Sequence, residues 1–400
     1  MTPVRRVAAW LTLLLVGGAC LAGYAAILIT SADPEVHVQA ALLAGLGATC
    51  LIAGALIAVA RHFRRPAQRF PPLFFGVVLF LAAVTVGGIA ARGERWPALD
   101  PLFALLVVVA TWLIVAAIAV RWANGRAVSR RVAFGTTVWG MLAAPAIAVL
   151  IELICAGSVF AAAVAGQYYA DPEILSNIAD NGIEAVISGS EMELLQTWTV
   201  VLGIVAVYAL FAPLAEELAK LLGAMIFLAR SGATRFDSFA SGLFSGLGFA
   251  SVETLFYALA AGEQWLLLVI IRAPVAVIHI VSAVAAAMGW YSGGKSIVSG
   301  YGLAVLIHGA WNGLTVSLLV ITASIADPEQ VPMQAGLALF GAVGGLMFLL
   351  LGCSAWFVNA ARRFGRETWH TEPSEQSGRN VGQQQSEQCG SAPGTALRVV

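Results

Sequence analysis

The chain has 400 residues, of which 60% are apolar and only 11% charged. That leaves too little polar surface to cover a globule of this size in water, which excludes a soluble enzyme. Twenty-two Lys and Arg residues balance twenty-two Asp and Glu, so no overall positive field points to a nucleic-acid partner.

Ten apolar runs follow one another, at about residues 7–30, 38–60, 71–91, 99–120, 133–165, 198–229, 239–260, 266–291, 297–325 and 333–360. Each meets or approaches the roughly 20 residues that a helix needs to cross about 30 Å of hydrocarbon. The first run follows Arg5 and Arg6, the flank of a secretory signal. It continues through Ile27 to Ile29, and Cys20 has no leucine three residues earlier, so a retained helix is expected. The fifth and sixth runs are long and are expected to kink at Pro145 and Pro213. None of the runs alternates, so barrel strands do not compete. Helices are the remaining way to satisfy the backbone in lipid. The expected fold is all-α: a polytopic membrane bundle of about ten transmembrane helices, embedded in the lipid bilayer of the cell membrane. Cys20, Cys50, Cys155 and Cys353 sit singly in apolar runs and Cys389 in a polar tail, which makes no disulfide framework.

Loop charge orients the bundle. Arg5 and Arg6, Arg61 to Arg69, Arg121 to Arg131, Arg230 and Arg235, Lys295, and Arg362 to Arg366 fall in alternate connections. The intervening connections hold mostly acidic residues, with Arg92 and Arg95 as exceptions. This predicts ten spans with both termini cytoplasmic. Three regions are expected: residues 1–132, four spans with no ionisable group deep inside; residues 133–361, which hold every intramembrane charge; and residues 362–400. The stretch from Thr368 to Val400 is rich in Ser, Gln, Gly and Glu and is expected to be a disordered tail. The external stretch from Gln167 to Thr197 lacks Lys and Arg and is read as a solvated linker, with a substrate gate as the alternative.

An ionisable side chain in hydrocarbon costs a few kcal/mol or more and persists mainly where it lines a polar site. The chain has eight: Glu152, Glu216, Glu217, Lys220, Glu253, Arg272, His279 and His308. Counted at about 1.5 Å per residue from the cytoplasmic ends, Glu217, Glu253, His279 and His308 all lie roughly 17 to 21 Å deep. Four helices therefore bring polar groups to one level. Glu216 and Lys220 are four apart on one helix face, with Glu217 about 100° away. His308 and Asn312 are four apart, and Arg272 and His279 seven apart. Gly242, Gly246 and Ala250 form a small-residue stripe leading to Glu253, which permits close approach of a neighbouring helix. Glu152 is read as structural, close to the outer interface.

These residues resemble the PrsW-type intramembrane proteases, distantly allied to the CAAX prenyl endopeptidases and bacteriocin-processing membrane proteins. The resemblance covers about residues 198–320. It is carried by Ala212 to Lys220 (APLAEELAK) as an EExxK motif, Gly246 to Glu253 (GLGFASVE) as FxxxE, His279, and His308 to Asn312 (HGAWN) as HxxxN. Thr254 departs from the asparagine that often follows the FxxxE glutamate. The resemblance implies hydrolysis of a peptide bond in a membrane-protein substrate, for example a single-span anti-sigma factor.

The residue chemistry suits that reaction. Two neighbouring carboxylates in a low-dielectric site cannot both ionise cheaply, which sets up an acid and a base. Glu217 is assigned as general base on a water and Glu216 as the partner of Lys220, with the two glutamates able to exchange roles. Glu253, His279 and His308 either bind a divalent metal such as zinc or hold the water and the developing oxyanion directly. No HExxH spacing decides between these. Asn312 is an oxyanion donor, and Arg272 anchors a substrate carbonyl or pairs with a buried glutamate. The alternative functions are an ion- or proton-coupled transporter using the same buried groups, and a silent scaffold. The two halves of the chain show none of the self-similarity expected of a transporter.

Overall fold

The computed structural model describes residues 3–30, 34–62, 73–92, 100–122, 129–170, 198–229, 233–261, 264–323, 325 and 332–367. Among these residues the regular structure is helical and no strand occurs. The helices are α1 (Pro3–Thr30), α2 (Pro34–His62), α3 (Leu73–Arg92), α4 (Asp100–Trp122), α5 (Arg130–Val138), α6 (Ala144–Ala170), α7 (Trp198–Ala206), α8 (Ala212–Leu228), α9 (Arg235–Ala260), α10 (Trp265–Arg272), α11 (Val275–Ser292), α12 (Lys295–Ala323) and α13 (Met333–Glu367). Eight stretches among the described residues are long and apolar enough to cross a membrane, and 43–58 and 73–89 form shorter apolar helical segments. Phe74, Phe340 and Phe348 stand at least three-quarters exposed on the outer faces, where lipid would cover them. The chain is a multi-pass helical membrane protein. The expected tail from Thr368 and the acidic stretch 171–197 lie outside the described residues.

Proline shapes three of the spans. A proline has no N–H and its ring crowds the carbonyl one turn earlier. Single π-helical turns, Trp139–Ala143 and Val207–Phe211, lie just before Pro145 and Pro213 and join α5 to α6 and α7 to α8. The run expected as one helix over 266–291 is two, α10 and α11, because Pro274 interrupts it after Arg272.

The centre of the bundle is α9, most of whose residues are buried. Its N-terminus is fixed by a capping box in which Thr234 and Asp237 satisfy each other's backbone N–H. The small-residue stripe is its seam with α11. A Cβ on Gly242 would lie 2.5 Å from Val284 Cα, and one on Gly246 would overlap the His279 carbonyl oxygen. On its other side Gly248 meets the Thr137 carbonyl of α5. Helices α2, α3 and α4 join this core, and α1 packs on α2. Ala116 and Ala119 of α4 pack with Phe239, Phe244 and Ile278, and α3 and α4 pack with Leu255, Leu259 and Trp265.

The Gly246 contact predicts a coupled defect. Gly246→Ala forces α11 away from α9 and carries His279 with it. The expected cost is roughly 1–3 kcal/mol, read as a lowered midpoint of thermal unfolding in detergent together with lost activity.

Candidate active site

The site begins with one turn of α8. Glu216, Glu217 and Lys220 are all buried there, Glu217 completely. Lys220 Nζ donates to Glu217 Oε1 at 2.8 Å and to Glu216 Oε2 at 3.3 Å. It also lies 2.9 Å from His279 Nδ1 and 4.1 Å from the centre of the Phe249 ring. That last contact explains the phenylalanine of the FxxxE pattern: its π face carries the ammonium.

Glu217 is the most heavily bonded carboxylate. Its Oε1 also accepts from Ser282 Oγ at 2.9 Å on α11 and faces His308 Nδ1 at 2.8 Å on α12. Ser282 was not legible as a site residue, although it lies three residues after His279 on the same helix. A carboxylate accepts, so His308 Nδ1 carries a proton towards Glu217, while its Nε2 lies 3.7 Å from Glu216 Oε2. His279 shows a matching arrangement. Its Nδ1 faces the Lys220 ammonium, and its Nε2 lies 2.8 Å from Glu253 Oε2. Glu253 is in turn paired with Arg272 Nη2 at 2.9 Å. The two imidazoles meet edge to face with centroids 4.7 Å apart.

The resulting group is Glu216, His279 and His308, with one ligand atom from each lying within 4.8 Å of the others. The set proposed from sequence had Glu253 in place of Glu216. Glu253 is adjacent, but it stands behind His279 and is held by Arg272. Glu216 lies within 4 Å of a nitrogen of both rings. Asn312 points elsewhere. Its Nδ2 donates to the Tyr208 carbonyl at 3.1 Å, the acceptor left short of a partner because residue 213 is a proline. Gly309 lets α12 approach the neighbouring Ala209 carbonyl. The HxxxN segment thus does two jobs: His308 reaches Glu217, and Asn312 braces the π turn ahead of the glutamates.

The donor set fits a divalent cation. Both imidazoles have a carboxylate on the nitrogen away from Glu216, the arrangement that orients metal-binding histidines. Among the described residues Glu217 Oε2 is buried with no hydrogen-bond partner, and a divalent ion held by Glu216 and the two imidazoles would add a positive partner to this group of buried carboxylates. The ammonium of Lys220 competes for His279 Nδ1, and Glu217 gives it an alternative seat.

Residues 128–343 match the sequence model described as PrsW family intramembrane metalloprotease. The chain belongs to this family. No curated protein and no solved structure matches the chain. The match to PrsW proteins extends from α5 to the first part of α13, so it takes in Glu152 and all four motifs. The chain is accordingly an intramembrane protease, and its buried Glu and His residues form a group able to hold a metal.

Proposed function

We propose that this PrsW protease cuts a peptide bond of a membrane-protein substrate at the pocket formed by Glu216, His279 and His308, and that these three residues hold a divalent metal, with zinc as the first choice. The observation that carries the reading is the convergence of one carboxylate and two imidazoles from three helices within 4.8 Å. A single-span protein such as an anti-sigma factor is the substrate class we would test first. The topology that accompanies this reading is ten spans with both termini cytoplasmic.

When bound, the metal would act as a Lewis acid that lowers the cost of deprotonating water and polarises the scissile carbonyl. The chain's own residues do the rest. Glu217 holds His308 in one tautomer, and Glu253, itself held by Arg272, orients His279. Lys220 offsets the charge of the paired glutamates. Glu216 is the more accessible of that pair and is the carboxylate placed to meet substrate. Phe249 and the small residues of α9 close the pocket against lipid.

One observation favours a second reading. The Lys220 ammonium already contacts His279 Nδ1 and Glu216, which is where a metal would draw its ligands. In that version Glu216 is the general base on the water, the proton passes from water to Glu216 and then to the leaving amide nitrogen, and Lys220 is the resident cation. The experiment is cleavage of a single-span reporter in proteoliposomes before and after treatment with a chelator. Loss of turnover that returns on adding zinc supports the metal reading. Unchanged turnover in the chelated protein selects the glutamate-dependent one.

A further inference from the structure

Three polar side chains outside the four motifs share one level on the outer side of the site. Ser245 Oγ of α9 bonds the Lys220 carbonyl of α8 at 3.4 Å, and Gly140 of the first π turn packs on the Ser245 carbonyl. Residues 140, 220 and 245 therefore define a common height. Twelve residues further out along each of these three chain segments stand Glu152, Tyr208 and Tyr257, about 18 Å along the helices. Glu216 lies between, one turn outward from Lys220. The segments are neighbours, since α6 packs against both the second π turn and α9.

These groups are available. Tyr208 is 50% and Tyr257 46% exposed, and Glu152 is half-buried. Among the described residues, neither the Glu152 carboxylate nor either phenol makes a hydrogen bond or ion pair; Tyr257 offers its ring face to the Arg272 guanidinium at 4.2 Å. They also surround the same carboxylates. Glu152 interacts electrostatically with Glu216, Glu253 and His308, and Tyr257 with Tyr208, Glu216 and Glu253. The sequence reads Glu152 as structural, near the outer interface; its electrostatic neighbours Glu216, Glu253 and His308 put it in the surroundings of the pocket.

A peptide bond inside an intact helix is shielded by its neighbours and its carbonyl is bonded one turn away. Cutting it requires local unwinding, and each main-chain N–H or C=O freed in hydrocarbon costs several kcal/mol unless it finds a partner. A carboxylate supplies acceptors, and a phenol supplies a donor and an acceptor. We propose that Glu152, Tyr208 and Tyr257 form a subsite that binds the unwound main chain of the substrate beside the bond to be cut. This subsite rests on the protease reading of the Glu216 pocket.

The test uses the full-length protein in phospholipid nanodiscs and two fluorescent synthetic single-span peptides. One is an uninterrupted polyleucine helix; the other carries a Gly-Pro pair in its outer third. Glu152→Ala, Tyr208→Phe and Tyr257→Phe should each weaken binding of the Gly-Pro peptide by roughly three- to tenfold, leave the uninterrupted helix unaffected, and raise KM for a cleaved substrate at constant kcat. Glu152→Gln, which keeps an acceptor, should recover most of the affinity. Equal weakening of both peptides, or no weakening of either, overturns the subsite, as does a collapse of kcat at unchanged KM. A wild-type protein that discriminates between the peptides through these residues yet cuts no substrate would uphold the subsite and overturn the protease reading instead.

Discussion

Glu216→Gln should leave a folded protein that has lost proteolysis, with turnover lowered about 10²- to 10⁴-fold. Glutamine keeps the shape of the side chain and an oxygen that can still accept from Lys220, so the packing of α8 survives. It removes the charge that faces His279 and His308 and the capacity either to bind a metal or to take a proton from water. The measurement is cleavage of a single-span reporter in proteoliposomes, paired with thermal unfolding in detergent. Wild-type turnover in this variant would remove Glu216 from the reacting centre.

Glu217→Ala should fail in the opposite way. Glu217 Oε1 receives Lys220, Ser282 and His308 from three helices at 2.8 to 2.9 Å, and both Glu217 and Lys220 are almost wholly buried. Removing the carboxylate leaves the ammonium with the longer contact to Glu216 as its remaining ion pair, beside His279 Nδ1 and the Phe249 ring, and breaking a buried pair from one side costs about 3–5 kcal/mol. The expected result is a large loss of stability in chemical unfolding, with poor accumulation in membranes. A variant as stable as wild type would show that Glu217 does not hold the bundle together. Two glutamates adjacent in sequence are thus separated by experiment, one through turnover and the other through stability.

The division between them explains how far the sequence could be read. The spans follow from apolar runs because hydrocarbon leaves the backbone no choice but helix. The depth count brought Glu217, Glu253, His279 and His308 to one level before any contact was known. Spacing alone does not say which glutamate Lys220 holds, since Glu216 at i−4 and Glu217 at i−3 are both in reach. That is settled by Ser282 and His308, which arrive from other helices. Glu253 does stand beside His279, at 2.8 Å, and Arg272, at the end of α10 where Pro274 breaks the run, pairs with it, one of the two roles read for that arginine. The role of Asn312 depends on the missing N–H of Pro213, about a hundred residues away in sequence. Glu152 is read from sequence as structural; its electrostatic neighbours Glu216, Glu253 and His308 come from other helices, and spacing within its own helix does not show them. The family match removes the ground on which a transporter reading of the same buried charges stood.

Helices α8, α11 and α12 deliver Glu216, His279 and His308 to one pocket, and crosslinking in native membranes can detect that meeting. His279→Cys and His308→Cys are placed together in a chain whose five native cysteines are replaced by alanine, and treated with a short bis-methanethiosulfonate linker. With the imidazole rings in edge-to-face contact at 4.7 Å, an efficient intramolecular crosslink is expected, visible as a shifted band after proteolysis between the two positions. Two thiols that label separately and never bridge would contradict it.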